Sequence, residues 1–98
     1  MTLTGKQRRH LRALGHHLQP TVQIGKHGLT DAVSAAVDAA LSTHELIKVR
    51  IDGESPADRH EAADALAEAL KAEVAQVVGN TLLLYRRHPQ TPVIGLPK

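Results

Sequence analysis

The chain of 98 residues has no cysteine, no phenylalanine and no tryptophan, and Tyr85 is its only tyrosine. Without cysteine it can form neither a disulfide nor a thiolate metal site. Its stability must therefore come from packing alone, which fits a reducing compartment, and we expect a cytoplasmic protein. The shortage of aromatic rings also excludes the base-stacking surface on which many single-strand-binding domains rely.

Long apolar runs are absent as well. No stretch of about 18 apolar residues occurs, so we expect no membrane-spanning segment and no membrane partner. The basic N-terminus is not followed by the continuous apolar region of a secretory signal. The length suits one domain, residues 1–98. Three of the five prolines fall in the last eleven residues, which predicts an extended tail over about residues 89–98.

Acidic side chains are missing from the first 30 residues, which carry five Lys or Arg residues. All ten carboxylates lie in residues 31–80, together with four cations, and residues 81–98 add three cations. This segregation predicts one basic face, which on a small domain most often meets nucleic acid or another anionic surface. The alternative, in which charges are sorted by chance between solvated faces, stays open at this point.

Apolar spacing predicts three amphipathic helices. Thr4 is the predicted N-cap of the first helix, which runs through residue 17, and Thr30 caps a second helix that ends at about residue 43. Ser55 is the predicted N-cap of the third helix, with Pro56 at its first position. The third helix carries an apolar stripe to Leu70 and an acidic opposite side.

Alternation and turn signals predict four short strands. "TVQI" precedes a glycine loop, and "ELIKVRID" alternates between an apolar face and a face that carries Lys48 and Arg50. "VAQVV" and "TLLLYRR" flank Gly79-Asn80, a two-residue hairpin signal. The predicted order is α-β-α-β-α-β-β, and the economical packing is a two-layer α/β sandwich in which the helices pack on a small mixed sheet.

Seven histidines raise the hypothesis of a metal or acid–base site, but none forms an H-x-x-x-H or H-E-x-x-H pair. The serines occupy helix or cap positions that already account for them. The sequence therefore contains no catalytic constellation. We expect no enzymatic activity, no cofactor and no metal.

The most informative local signal is "VQIGKHGLTDAV", in which Gly25 and Gly28 bracket Lys26 and His27 between a strand and a helix. A bare G-x-x-G can equally be a simple turn. Here the inner pair is basic or protonatable, a capped helix follows, and no carboxylate precedes the loop. Glycine would let a phosphate approach backbone N–H groups while Lys26 supplies charge. KH domains clamp the RNA backbone with such a loop.

Four stretches of the chain carry a family resemblance. "LTGKQRRHLRALGHHLQPTVQIGKHGLT", "HELIKVRI" and "VVGNTLLLYR", with the terminal "IGLPK", resemble the YhbY family, the stand-alone bacterial form of the CRM RNA-binding domain. The resemblance covers essentially the whole chain. It implies an α/β domain related to the C-terminal domain of translation initiation factor 3, with a KH-like loop, and an association with precursors of the large ribosomal subunit.

The resemblance also implies which residues bind RNA. The clamping loop would be Gly25, Lys26, His27 and Gly28, flanked by Lys6, Arg8, Arg9 and Arg12, with Lys48 and Arg50 as further candidates. We therefore expect a non-catalytic, monomeric protein that contacts ribosomal RNA during large-subunit assembly. Two alternatives stay open: a protein-interaction adaptor that acts through the acidic third helix, and a small phosphate-handling enzyme that uses the same loop.

Overall fold

Three helices and four strands follow one another in the predicted order. In the computed structural model, which describes residues 2–98, the helices are α1 (Gly5–Gly15), α2 (Asp31–His44) and α3 (Arg59–Leu70). The strands are β1 (Pro20–Ile24), β2 (Leu46–Ile51), β3 (Glu73–Val78) and β4 (Thr81–Tyr85). The α/β class and the small mixed sheet are thereby confirmed.

The four strands form one sheet in the order β1-β2-β4-β3. β1 and β2 are parallel and are connected through α2, whereas β4 is antiparallel to both β2 and β3. Ile24 lies beside Ile51, and Arg50 lies opposite Thr81. The ends of β1 and β2 and the β3–β4 hairpin therefore share one end of the sheet, which we call the loop end.

Helices cover both faces of this sheet, so the number of layers differs from the predicted two. α2 and α3 pack on one face around Ile47, Val49 and Leu84. On the other face, which we call the α1 face, Leu11 of α1 joins a second buried cluster with Leu83 and other residues. The apolar run "LLLY" in β4 is the sequence signal for this arrangement, because a strand buried on both faces does not alternate.

The caps of α1 and α2 are those predicted. Thr4 forms a reciprocal capping box with Gln7, and the Thr30 hydroxyl accepts the N–H of Val33 at 3.2 Å. α1 ends at Gly15, two residues earlier than predicted, with His16 as its C-cap.

The predicted start of α3 was wrong. The N-cap is Asp58, whose Oδ2 accepts the N–H groups of His60 and Glu61 at 3.1 and 3.0 Å. Ser55 instead closes the preceding turn, since its hydroxyl accepts the N–H of Ala57. The Asp58 carboxylate accepts two backbone N–H groups, and its negative charge is favourable at the helix N-terminus.

The C-terminal segment is fixed to the fold by Glu45, whose side chain is buried at 1% exposure. Its carboxylate accepts the backbone N–H groups of His88 at 2.7 Å and of Val93 and Ile94 at 2.8 Å each. Burial by itself would raise the pKa of Glu45, but these three hydrogen bonds, together with the charge interaction with His88, outweigh it and leave the pKa below its ordinary value. The tail thereby places Ile94 and Leu96 against the buried cluster of the α1 face.

Candidate nucleic-acid interface

The G-x-x-G segment forms a tight turn at the loop end of the sheet. The N–H of Gly28 donates to the carbonyl of Gly25 at 3.0 Å, with Lys26 and His27 exposed at the two central positions. Gly28 has φ of +72°, in the left-handed region that favours glycine. The backbone of the turn therefore accounts for Gly28.

Gly25 has no such structural explanation. Its φ lies outside the left-handed region, and a Cβ added to it would meet no atom within 4 Å. Neither the backbone conformation nor the packing of the fold requires a glycine here. A residue without a side chain is, however, what a ligand needs when it approaches the backbone closely.

The start of α2 is less suited to an anion than the turn before it. The hydroxyl of Thr30 already takes up the N–H of Val33, and Asp31 places a carboxylate in the first helical turn. That carboxylate interacts favourably with the helix dipole and repels a second anion. The geometry thus favours the Gly25–Gly28 turn over the helix start as a contact for phosphate.

A second basic site lies between α1 and the sheet, and we call it the α1 groove. It has a volume of about 260 Å³ and contains Arg12 from α1, the C-cap residue His16 and Lys48 from β2. The helix lies close to the sheet, since a Cβ on Gly15 would come within 2.7 Å of Leu83. No Asp or Glu is among the described residues that line this groove.

The remaining predicted residues divide into two sets. Arg50 is exposed two positions after Lys48, on the same face of β2, and Arg8 is one helical turn before Arg12. Lys6 and Arg9 are exposed farther round α1, away from the buried Leu11. The structure therefore brings Arg12 and Lys48 together, places Arg8 and Arg50 beside them, and leaves Lys6 and Arg9 pointing outward.

The Gly25–Gly28 turn borders a different groove, of about 400 Å³, which it shares with the beginning of α3. His27 and Leu29 line it from the loop side, and Asp58 and Glu61 line it from α3. The two grooves share no lining residue among those described. The two grooves are thus separate, and the one beside the glycine turn has acidic residues in its lining.

One basic residue that contributed to the charge pattern has a structural role. The guanidinium of Arg86 bonds Asp38 at 2.7 Å, the hydroxyl of Ser42 at 2.9 Å and the carbonyl of Leu70 at 3.0 Å. It thereby ties α2 to the end of α3. The outward side of α3, with exposed Glu61, Asp64 and Glu68, belongs to the layer opposite α1.

Sequence reasoning missed two residues of the α1 groove, Gln76 and Thr81. Each is a polar residue in a mostly apolar strand, and this polarity is the sequence signal that could have indicated a role in the groove. The described part of the chain contains no group of three or more His, Cys, Asp or Glu side chains arranged to hold a metal ion. None of its helices is long and apolar enough to span a membrane.

Residues 3–86, which include the glycine turn, α1 and the whole sheet, match the model of the CRS1/YhbY (CRM) domain. The chain belongs to the CRM domain family. The resemblance predicted from the sequence motifs is therefore confirmed. The family match includes both the turn at Gly25–Gly28 and the α1 groove.

Curated relatives align with this CRM domain over nearly its whole length. It is 39% identical over 95 residues to a Bacillus subtilis (strain 168) protein named Probable RNA-binding protein YqeI, covering 97% of this chain and 99% of that protein. It is 41% identical over 97 residues to a Haemophilus influenzae protein named RNA-binding protein, covering 99% of this chain and 97% of that protein. The solution structure of Staphylococcus aureus protein SAV1595 superposes with a TM-score of 0.83 at 40% identity, covering 98% of this chain and all of that one.

Proposed function

We propose that this CRM domain is a non-catalytic RNA-binding protein that contacts ribosomal RNA during assembly of the large ribosomal subunit. The names of its relatives support RNA as the ligand class. The observation that carries the proposal is Gly25, a glycine that the fold does not require, beside the exposed Lys26 in a tight turn. We further propose that the protein acts as a monomer in the cytoplasm.

In this proposal the Gly25–Gly28 turn holds one phosphate of the RNA. The missing side chain at Gly25 lets the phosphate approach the backbone, and Lys26 adds a positive charge. Arg12, Lys48 and Arg50 neutralise further phosphates along the α1 face. Recognition is mainly of the sugar–phosphate backbone, because Tyr85 is buried at 1% exposure and cannot stack on a base.

Binding of large-subunit rRNA fragments across a salt series tests the proposal. We expect log affinity to fall linearly with log salt, by roughly 0.7–0.9 per phosphate neutralised. Lys26→Asp should bind more weakly and with a shallower slope. Lys71→Asp is the matched control, since Lys71 is exposed at the far end of α3 from the turn.

Four outcomes bear on the proposed function. Weaker binding by Lys26→Asp alone supports a phosphate at the turn. If Lys26→Asp binds RNA as tightly as the wild type and the Lys71→Asp control do, the proposed role of the turn is contradicted. If the wild type binds no RNA at low salt, the proposed RNA-binding function itself is contradicted. A preference for large-subunit fragments over transfer RNA of similar length is the result that the ribosomal part of the proposal requires.

A further inference from the structure

The α1 groove combines apolar, neutral hydrogen-bonding and cationic groups in its lining. Gly15 and Leu83 provide an apolar floor, and the exposed His16 lies at its side. Gln76 and Thr81 add an amide and a hydroxyl, which together offer donors and acceptors. Arg12 and Lys48 complete the lining with two cations.

This composition matches a nucleotide better than it matches a bare phosphate. An anion alone needs only the two cations and has no use for an apolar floor or for neutral hydrogen-bonding groups. A base has an apolar face that gains from burial and an edge that hydrogen-bonds to amides and hydroxyls. Bases bound by proteins also stack on histidine rings and on arginine guanidinium planes, which His16 and Arg12 can supply in a chain almost without aromatic rings.

The size of the groove limits what can enter it. Its volume of about 260 Å³ lies below the ~300 Å³ at which pockets for drug-sized ligands begin. A single base with its sugar is of this order, whereas a base-paired helix cannot insert its paired bases into any groove of this kind. A nucleotide that occupies this groove is therefore unpaired.

We infer that the α1 groove binds one unpaired nucleotide of the RNA, with its base against Gly15 and Leu83, its edge on Gln76 and Thr81, and its phosphate on Arg12 and Lys48. This inference rests on the proposed RNA-binding function. It adds a second, separate site to the phosphate contact at Gly25–Gly28. RNA bound by this protein should then contain a bulged or looped nucleotide next to a helical segment.

The test compares a short RNA duplex with the same duplex carrying a single bulged nucleotide. Wild type should bind the bulged RNA about tenfold more tightly, which corresponds to ~1.4 kcal/mol. The double variant Gln76→Met/Thr81→Val keeps the side-chain shapes but removes the hydrogen-bonding groups, so it should lose this preference and keep its affinity for the duplex. Gln23→Met is the matched control, because Gln23 is exposed on the same sheet face outside the groove.

A second measurement does not depend on how well the double variant folds. Titration of the wild type with each of the four 5′-mononucleotides, followed by NMR, should shift the Leu83 methyl signals and the Gln76 side-chain amide signals. Lys48→Gln should weaken these shifts, whereas Lys71→Gln, at the C-terminal end of α3, should not.

The inference is overturned if wild type shows no preference for the bulge and no nucleotide moves the Leu83 and Gln76 signals. Its failure is distinguishable from failure of the proposed function. In the first case both RNAs still bind and Lys26→Asp weakens them equally. In the second case neither RNA binds, whatever the nucleotide titration shows.

Discussion

The two grooves of this CRM domain lie near the same end of one sheet, yet one is lined by basic side chains and the other includes acidic ones. The α1 groove holds Arg12 and Lys48 with no carboxylate among its described lining residues. The groove beside the glycine turn includes Asp58 and Glu61 from α3. The comparison shows that the sheet separates the cations of one groove from the carboxylates of the other. In the proposed function, an RNA backbone would be attracted at the α1 groove and at the tip of the turn, and would be repelled along α3.

The largest predicted effect is on the stability of the protein rather than on its RNA binding. Glu45→Gln removes a buried charge that accepts three backbone N–H groups and leaves an amide NH₂ facing at least one of them. We expect a loss of roughly 3 kcal/mol in the free energy of unfolding, because hydrogen bonds to buried charged groups are worth about 1.5–3 kcal/mol each. Thermal or urea unfolding measures it, with the exposed Glu54→Gln as the control. A loss below about 1 kcal/mol would contradict the anchoring role of Glu45.

The same carboxylate predicts a pH dependence. The pKa of Glu45 in the folded state lies below its ordinary value of 4.5, so the folded state favours the ionised form. Its contribution to stability is therefore complete above about pH 4.5 and is lost as the pH falls through the lower folded-state pKa. Stability curves of wild type and Glu45→Gln should converge as the pH falls below 4.5. Parallel curves over that range would contradict the assignment.

Charge reversal tests the difference between the two grooves directly. Arg12→Glu/Lys48→Glu should reduce the salt slope of RNA binding by roughly 1.4–1.8, the value for two phosphate contacts. Asp64→Lys/Glu68→Lys on α3 should leave the slope unchanged, since these residues belong to the opposite layer. Filter binding at several salt concentrations measures both. If the α3 variant lost RNA binding and the α1 variant kept it, the orientation of the domain on RNA would be reversed.

The same α3 variant addresses the adaptor alternative. An adaptor that works through the acidic helix should lose its function on charge reversal at Asp64 and Glu68 while its RNA binding stays intact. Association with large-subunit precursors in cell extracts, measured beside RNA binding by the purified protein, separates the two activities. Loss of association alone would favour the adaptor.

A smaller effect is expected at Gly28. Replacing it with Ala puts a Cβ at a φ of +72°, which costs about 1–2 kcal/mol of stability. The added Cβ would lie 3.5 Å from Pro56, an ordinary contact, so the cost is conformational rather than steric. Unfolding measurements should show this loss. An unchanged stability would contradict the structure of the turn.

Most of the fold could be predicted from the sequence, because local signals and packing agree. Thr4 and Thr30 cap their helices as expected, and Gly79-Asn80 forms the hairpin between β3 and β4. The start of α3 was missed because Ser55, Pro56 and Asp58 all carry N-terminal signals, and only the three-dimensional turn selects Asp58. The role of Glu45 was not predictable, since its partners lie more than 40 residues farther along the chain.

The candidate site was predictable in its residues but not in its arrangement. The glycine turn and the basic residues of α1 and β2 are readable from the sequence. That Arg12 and Lys48 share a groove depends on how closely Gly15 approaches Leu83, which is a tertiary contact. That the turn borders Asp58 and Glu61 depends on the packing of α3 beside it.

The central claim is that the turn at Gly25–Gly28 exists to hold a phosphate, and Gly25→Ala tests it most directly. A methyl group at this position meets no protein atom within 4 Å, so the stability of the protein should stay within about 0.5 kcal/mol of wild type. Affinity for rRNA fragments, measured on the same samples, should fall about three- to tenfold because the methyl group blocks the approach of the phosphate. Unchanged affinity at unchanged stability would contradict the claim and leave the two glycines as parts of a turn only.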